Sequence, residues 1–389
     1  MRRTVGVVSV LTAGAMVIGG CTTTEKPADP GYPSVPAYSS SSAAPSSSAV
    51  PLAAGCISVE AGKMSTRQKL AQMLMVGVKD AADAKAVVKK ERIGGIFVGS
   101  WTEKSILTSG AAKSLSSGKV PTMVSVDMEG GRVSRLKSIG IDLPPARELA
   151  STKSATQVRQ LAYDVGVKMR NLGVTVDFAP DIDVSDQPAD SVIGDRSYSA
   201  DPITVARYGR AFAAGLRDAG VLPVFKHFPG HGHGSGDSHT GTVKTPPLSD
   251  LVDNDLIPFR TLLPMKGTAA MVGHLIVPGL TGPDTPASIS PAAIQMLRTG
   301  EGYNGPAFNG VIFSDDLSGM AAITEKYPIT QAAPMALAAG SDIALWLTTD
   351  KVTAVLDALE KAVANNKLSM DHVNAAVNRI LAAKRLKRC

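Results

Sequence analysis

Eight short apolar runs recur along residues 73–347, and stretches with helical periodicity separate most of them. Glycine, proline or aspartate bounds the runs, which is typical of buried strands. Strands that alternate with helices favour a parallel sheet, and eight such units favour a closed (β/α)8 barrel. The runs are Met73–Val78, Gly95–Gly99, Thr122–Asp127, Val174–Asp183, Leu222–His227, Ala270–Leu275, Val311–Asp315 and Asp342–Leu347.

The intervening stretches support the same fold. The clearest helical patterns are Ala155–Asn171, Ile203–Ala219 and Val352–Asn365. Residues 370–387 predict a closing helix, and the longer gaps near residues 140 and 190 are expected to be loops. A doubly wound sheet is the alternative, but no Gly-x-Gly-x-x-Gly follows the first strand. We therefore predict an α/β fold with a single (β/α)8 TIM-type barrel.

The first residues have the features of an export signal. A basic start, Met1-Arg2-Arg3, precedes an apolar run over residues 5–18 that is too short to span a bilayer comfortably. Gly19-Gly20 then precedes Cys21, a pattern that resembles a bacterial lipobox. We therefore predict cleavage before Cys21 and attachment of lipid to its thiol. An ordinary secretory signal with an incidental cysteine is the alternative.

These features divide the chain into three parts. Residues 1–20 are the predicted signal peptide, and residues 21–54, rich in Ser, Pro and Ala, are a predicted disordered tether. Residues 55–389 remain for one barrel domain, which is within the usual size of that fold. The expected location is the outer face of the cell membrane, to which the lipid anchors the protein.

Cysteines and charge limit the partners. With Cys21 assigned to lipid, Cys56 and Cys389 lie at the two ends of the predicted domain, where either a disulfide or two free thiols can be expected. The net charge of +6 is spread along the chain, and the basic cluster Lys384–Arg388 has little aromatic interleaving. We expect no nucleic-acid partner, and we expect a monomer.

Charged and polar side chains fall at the ends of five predicted strands. The carboxyl ends of barrel strands form one rim, where catalysis occurs in this fold, so we expect these side chains to share a pocket. For Asp183 and Asp316 the alternative is capping of a following helix. The rim residues are Asp127, Asp177, Asp181, Lys226, His227, His274, Asp315 and Asp316.

The segment 226–239 holds four of the six histidines, in a loop with too many glycines for a helix. Asp237 and His239 are two residues apart and can pair, so that the carboxylate orients the imidazole and raises its basicity. His231 and His233 taken alone are expected to be solvated loop residues or an adventitious metal-binding pair. We interpret the segment as a catalytic loop.

Carboxylates and cations on one rim, without a cofactor motif, indicate hydrolysis of a polar substrate. Glycoside hydrolysis usually needs one carboxylate at the anomeric carbon and one acid that protonates the leaving oxygen. Asp315, at the end of a buried strand, is a candidate for the first role if nearby donors hold it ionised.

Several motifs resemble those of glycoside hydrolase family 3, and within it the β-N-acetylglucosaminidase branch. They span most of residues 60–345 in the family's order. The matching segments are Asp127–Arg135, Asp177–Pro180, Val192–Tyr198, the loop 226–239 and Phe313–Leu317.

The resemblance implies a retaining, exo-acting β-N-acetylglucosaminidase without a cofactor. Asp315 maps to the family's nucleophile, and His239 with Asp237 maps to the acid/base pair of this branch. The anchor and the branch together imply a GlcNAc-containing peptidoglycan fragment as substrate. The positions that map to sugar-binding residues are Asp127, Arg135, Arg196, Lys226 and His227.

Four alternatives stay open. A β-glucosidase of the same family would change the sugar. A phosphate-using glycosidase would change the acceptor, because a histidine acid/base repels phosphate less than a second carboxylate does. A metal-dependent hydrolase would use His227, His231, His233, His239 and Asp237 as ligands. A protein that only binds glycans would have no turnover.

Overall fold

A computed structural model describes residues 59–384 of the chain. The predicted signal peptide and tether lie outside these residues, as do Cys21, Cys56 and Cys389, so the lipid anchor and the disulfide stay predictions. Within the described part, no helix is both long enough and apolar enough to cross a membrane.

Strands at the centre of the described residues close into a barrel. In chain order the strands are β1 (Leu74–Gly77), β2 (Gly95–Phe97), β3 (Met123–Val126), β4 (Met128–Gly130), β5 (Val133–Ser134), β6 (Val176–Asp177), β7 (Leu222–Phe228), β8 (Val243–Lys244), β9 (Ala269–Val272), β10 (Leu275–Ile276), β11 (Ile312–Asp316) and β12 (Ile343–Trp346). Around the barrel the order is β1-β12-β11-β9-β7-β6-β3-β2, with neighbouring strands parallel. This closed parallel barrel confirms the predicted fold.

Helices connect the barrel strands, and several begin at side chains that cap them. The helices are α1 (Thr66–Gln72), α2 (Ala81–Glu91), α3 (Ser105–Thr108), α4 (Ala111–Leu115), α5 (Ala146–Thr152), α6 (Ala155–Asn171), α7 (Pro202–Asp218), α8 (Leu248–Asp253), α9 (Leu256–Leu262), α10 (Pro291–Thr299), α11 (Ala321–Thr324), α12 (Ile329–Ala339), α13 (Val352–Ala364) and α14 (Met370–Ala383). Ser154 forms a capping box with Gln157 at the start of α6, and Asp201 caps α7. These caps set the starts of the two longest helices.

Each predicted apolar run overlaps one barrel strand, and the fourth run is the least regular. A strand was expected over Val174–Asp183, but β6 ends at Asp177. Pro180 has no N–H to donate to a ladder, which interrupts regular pairing. The residues beyond β6 therefore form a loop that carries Asp181 and Asp183 at the carboxyl end of the barrel.

Two strands have irregular registers where the predicted site residues lie. β7 shifts against β9 over residues 225–228, and β11 shifts against β12 over residues 313–316. Bulges of this kind re-aim side chains and are frequent next to active sites. Lys226 and His227, joined by a cis peptide bond, lie in the first segment, and Asp315 lies in the second.

Candidate active site

A buried ion network joins the segments that follow β3 and end β7. Lys226 Nζ lies 2.9 Å from Asp127 Oδ1 and 2.6 Å from Glu129 Oε1. The Glu129 carboxylate also accepts hydrogen bonds from Arg196 Nε at 2.7 Å and Nη2 at 2.9 Å, a bidentate pair. Arg135 Nε lies 3.9 Å from Asp127 Oδ2. Glu129 thus links residues that the sequence predicts to bind sugar.

Opposite charges keep the buried groups of this network ionised. Burial opposes the charged form of Glu129, but Arg196 and Lys226 hold its pKa well below its usual range. Burial also opposes charge on Lys226, but Asp127 and Glu129 raise its pKa. Fixed cations and carboxylates of this kind can bind sugar hydroxyls through charge-assisted hydrogen bonds.

Two arginines hold the loop of residues 185–196, which carries Arg196. Arg147 donates to three carbonyl oxygens of this loop, and Arg132 donates to four others. These bonds satisfy backbone acceptors that no regular secondary structure would otherwise satisfy. The Arg196 guanidinium is therefore positioned before a substrate arrives.

Asp183 positions His227 and does not cap an α-helix, because no α-helix follows it before α7. Asp183 Oδ2 lies 2.7 Å from His227 Nδ1, and Oδ1 accepts from the backbone N–H groups of His227 and His231. Burial lowers the pKa of His227 to about 4, so its ring is neutral at pH 7. A hydrogen on Nδ1, directed at Asp183, leaves Nε2 able to accept a hydrogen bond.

His231 and His233 are not the solvated side chains that the sequence predicts. His231 is 4% exposed, burial lowers its pKa, and its Nε2 lies 3.3 Å from Ser238 Oγ. His233 is partly buried, and its Nδ1 lies 2.9 Å from Asp255 Oδ1, a contact that raises the pKa of the histidine. That prediction is wrong because the loop folds back on two buried acids: the His231 backbone N–H donates to Asp183, and the His233 ring pairs with Asp255.

Asp315 lies at the end of β11 with a pKa below its usual range. Burial raises this pKa, whereas the neighbouring His227 and His274 lower it. The backbone N–H of Asp316, which donates to Asp315 Oδ1 at 2.8 Å, and the charge of Lys226 lower it further. Because His227 is neutral at pH 7, it contributes no charge at that pH, where the Asp316 N–H and the charge of Lys226 still lower the pKa. An ionised carboxylate at this rim can act as a nucleophile.

The turn after β11 fixes the orientation of this strand end. The Asp316 carboxylate accepts from the N–H and hydroxyl of Ser318 and from the N–H of Gly319, all within 2.9 Å. Since α11 begins only at Ala321, Asp316 caps a turn and not a helix. His274 Nε2 donates to the Asp316 carbonyl oxygen at 2.7 Å. His274 is therefore a positioning residue behind the strand end.

The loop that carries His239 is bonded to the segment after β11. His239 Nδ1 lies 2.8 Å from Asp237 Oδ1, which also accepts the His239 backbone N–H at 2.9 Å. The N–H groups of Ala321 and Ala322 donate to the carbonyl oxygens of His239 and Ser238 at 3.3 and 3.1 Å. Nδ1 is therefore the ring nitrogen that pairs with Asp237, and the His239 side chain as a whole is 62% exposed.

The two remaining rim acids, Asp177 and Asp181, are buried. Asp177 Oδ1 accepts the N–H of Met128 at 2.9 Å, and burial raises the pKa of Asp177 well above its usual range. Asp181 Oδ1 accepts the N–H of Asp183 at 2.9 Å, and its Oδ2 lies 3.3 Å from Arg196 Nη2. Asp177 therefore holds the backbone after β3, and Asp181 holds both the backbone of its own loop and the Arg196 guanidinium.

The histidines proposed as metal ligands face different acids and do not converge. Within residues 59–384, the group that could share an ion is Asp181, Asp183 and His227, whose ligand atoms lie within 4.8 Å of one another. Arg196 already lies against Asp181, and the Nδ1–H of His227 is bonded to Asp183. Within the described residues, the ligand set required by the alternative of a metal-dependent hydrolase is thus not assembled.

Glu129 is the site residue that the sequence analysis does not assign. Its side chain is 3% exposed and contacts two predicted sugar-binding cations. The sequence does contain one signal for it. Asp127 and Glu129 are two residues apart directly after a buried strand, and residues two apart in an extended segment lie on the same face. Its two partners, Arg196 and Lys226, cannot be identified from that signal.

Replacing Glu129 with glutamine is expected to lower the free energy of unfolding by about 3 kcal/mol, because two buried cations lose their shared counter-charge. KM for a glycoside should also rise, since Lys226 and Arg196 lose their positions. Urea unfolding and steady-state kinetics measure the two effects. Glu148→Gln, on the exposed face of α5, is the matched control. A Glu129→Gln loss below about 0.5 kcal/mol, the usual size of a surface substitution, would contradict this role.

The chain matches proteins with known folds and activities. Residues 65–383 match the family model described as "Glycosyl hydrolase family 3 N terminal domain". The chain is 57% identical over 323 residues to "Beta-hexosaminidase LpqI" of Mycobacterium tuberculosis, an alignment that covers 82% of this chain and 83% of that protein.

Solved structures match the barrel. A glycosyl hydrolase of the GH3 family from Mycobacterium smegmatis superposes with a TM-score of 0.81 at 56% identity, over 83% of this chain and 98% of that one. A GH3 β-N-acetylglucosaminidase from Paenibacillus superposes with a TM-score of 0.75 at 31% identity, over 83% of this chain and 62% of that one. With the family model matched from α1 to α14 and a cluster of carboxylates and cations at the carboxyl rim of the barrel, the chain belongs to glycosyl hydrolase family 3 and is a glycoside hydrolase.

Proposed function

We propose that the protein removes terminal β-linked N-acetylglucosamine from glycans by a retaining mechanism. The observation that carries the proposal is the pairing of Asp237 with His239 on a loop bonded directly to the segment after the Asp315 strand. A carboxylate and a protonatable group on adjacent segments are what double displacement at an anomeric carbon needs. The β-hexosaminidase name of the Mycobacterium tuberculosis relative supports the choice of sugar.

In the first step, an Asp315 oxygen attacks the anomeric carbon and the bond to the leaving oxygen breaks. The proton on His239 Nε2 passes to that oxygen, so the leaving group departs as a neutral alcohol. Asp237, 2.8 Å from Nδ1, stabilises the imidazolium that must exist before this transfer. The product of the step is a glycosyl ester of Asp315.

In the second step, water attacks the anomeric carbon of the ester. His239 Nε2, now neutral, accepts the proton of the water, and the Asp315 carboxylate is released. Two displacements at one carbon restore the original anomeric configuration. The imidazolium formed at the end is the acid needed for the next cycle.

The ion network around Glu129 would bind the terminal sugar. Lys226 supplies a fixed donor, Asp127 a fixed acceptor and neutral His227 Nε2 a further acceptor. Because these groups are held by bonds to the protein, little ordering remains to be done when a sugar enters.

The sequence before residue 59 supports an envelope substrate. If Cys21 carries lipid, the barrel acts outside the cytoplasm on the end of a tether, where GlcNAc-containing fragments of peptidoglycan are the available β-linked glycans. We therefore extend the proposal in two ways: the enzyme is exported and lipid-anchored, and its substrates are disaccharide or muropeptide fragments.

The function is tested by comparing the kcat/KM values of the full-length chain, purified in detergent, for hydrolysis of 4-nitrophenyl β-GlcNAc and 4-nitrophenyl β-glucoside. A preference for GlcNAc of about 100-fold or more in kcat/KM is expected, since a site that hydrogen-bonds an acetamido group penalises its loss. Comparable rates would favour a general β-glucosidase. Parallel reactions with inorganic phosphate separate hydrolysis, which yields GlcNAc, from phosphorolysis, which yields the sugar 1-phosphate.

A further inference from the structure

Trp101 is an exposed aromatic side chain at the carboxyl rim of the barrel. It is 46% exposed, whereas Trp346, the other tryptophan of the chain, is fully buried. Trp101 lies in the loop after β2, and β2 pairs with β3 so that Phe97 is level with Ser125. Counting two residues further along both strands places Gly99 level with Asp127. The Trp101 loop therefore begins beside Asp127, a residue of the proposed sugar pocket.

The indole of Trp101 is braced on one side. Its ring centroid lies 5.9 Å from that of Phe97. Its six-membered ring packs so closely on Gly99 that a Cβ at that position would lie 2.3 Å from it. The contact needs glycine at position 99, and it leaves part of the indole surface facing solvent.

Hydrogen bonds make the Trp101 loop rigid. Lys104 Nζ donates to the carbonyl oxygens of Gly99 at 2.7 Å and Thr102 at 2.8 Å. Thr102 Oγ1 accepts the N–H of Gly99 at 3.0 Å and donates to the carbonyl oxygen of Val78 at 2.6 Å. An aromatic surface held in this way loses little entropy when a ligand stacks on it.

The loop also lies beside a charged residue of the pocket. Burial lowers the pKa of Lys104, and the nearby guanidinium of Arg135 lowers it further. Arg135 is in turn 3.9 Å from Asp127. A polar pocket with a rigid, exposed indole at its edge suits a pyranose ring, which has polar edges and an apolar face.

We propose that Trp101 is a stacking platform for the sugar on the leaving-group side of the bond that is cleaved, a role that rests on the proposed function. Asp127, Lys226 and Arg196 form the inner part of the pocket and would take the terminal GlcNAc. Trp101 lies at the exposed edge, where the rest of the glycan leaves the pocket. The ligand class is a di- or oligosaccharide with a pyranose ring next to the terminal GlcNAc.

Kinetics of Trp101→Ala on two substrates test the proposal. N,N′-diacetylchitobiose has a sugar as its leaving group, whereas GlcNAc β-azide has a leaving group without a ring. We expect kcat/KM to fall about tenfold on the disaccharide and to stay within about twofold on the azide, with Trp101→Phe keeping most of the wild-type rate. Tyr163→Ala removes another exposed aromatic, on α6, and is the matched control.

Equal losses on both substrates would mean that Trp101 contacts the terminal sugar, and no loss on either would mean that Trp101 contacts no sugar. Either result would overturn the proposal. If the wild-type chain cleaves neither GlcNAc substrate, the proposed function fails instead. Fluorescence then still tests the platform, because Trp101 and Trp346 are the two tryptophans present. Diacetylchitobiose should change the emission of Asp315→Asn saturably, and adding Trp101→Phe should abolish the change; unchanged emission of Asp315→Asn would overturn the platform.

Discussion

Replacing Asp315 with asparagine is expected to lower kcat on a β-GlcNAc glycoside by on the order of 10⁴- to 10⁶-fold, the range seen when members of a catalytic triad, the nucleophile among them, are removed singly. The amide has nearly the shape of the carboxylate and can still accept the Asp316 N–H at Asp315 Oδ1. It cannot form the glycosyl ester, so the loss should fall on turnover and leave the free energy of unfolding near that of the wild type. Single-turnover rates and urea unfolding measure the two quantities.

Asp253→Asn, the same substitution on the exposed end of α8, is the matched control and should leave both quantities unchanged. A second variant separates loss of chemistry from loss of fold. In Asp315→Ala the space left by the side chain should admit azide ion, which restores cleavage and gives a glycosyl azide of inverted configuration. An Asp315→Asn enzyme within about tenfold of wild type would exclude the aspartate as nucleophile.

Replacing His239 with glutamine is expected to lower turnover by about 10²- to 10³-fold on glycans, whose leaving alcohols must be protonated. Aryl glycosides with acidic phenols need little protonation and should lose much less in the first step. A plot of log kcat/KM against leaving-group pKa should therefore be steep for His239→Gln and shallow for the wild type. Asp237→Asn should lie between them, because the imidazole stays but loses its partner at 2.8 Å.

His233→Gln is the matched control for this experiment, since His233 lies in the same loop but binds Asp255. It can lower the rate by loosening the loop, yet it should keep the shallow dependence on leaving group. A steep dependence in His233→Gln together with a shallow one in His239→Gln would reverse the assignment of the acid/base.

The barrel was predictable from sequence because its signal is local and repeated. Each strand is a short apolar run closed by a turn former, so the strand can be recognised without knowing its neighbours. β6 was overestimated, since apolar residues continue past Asp177 although Pro180 interrupts the pairing. The helix starts at Ser154 and Asp201 follow the same local logic of capping.

Much of the site depends on contacts between distant segments and was less predictable. The rim residues could be named because all parallel barrel strands end on one side. The role of Glu129 depends on its contact with Arg196, a loop residue 67 positions away. No local sequence pattern identifies that contact. His231 looked like a solvated loop residue because its burial depends on Asp183, 48 positions earlier in the chain.

The most direct test of the proposed chemistry is to follow the anomeric protons by NMR during the first minutes of 4-nitrophenyl β-GlcNAc hydrolysis by the wild-type chain, because this leaving group contributes no second sugar. Double displacement through Asp315 predicts that the released GlcNAc appears first as the β anomer, with the α anomer growing only by mutarotation. Initial release of α-GlcNAc would mean a single displacement by water, and it would contradict the assignment of Asp315 and His239.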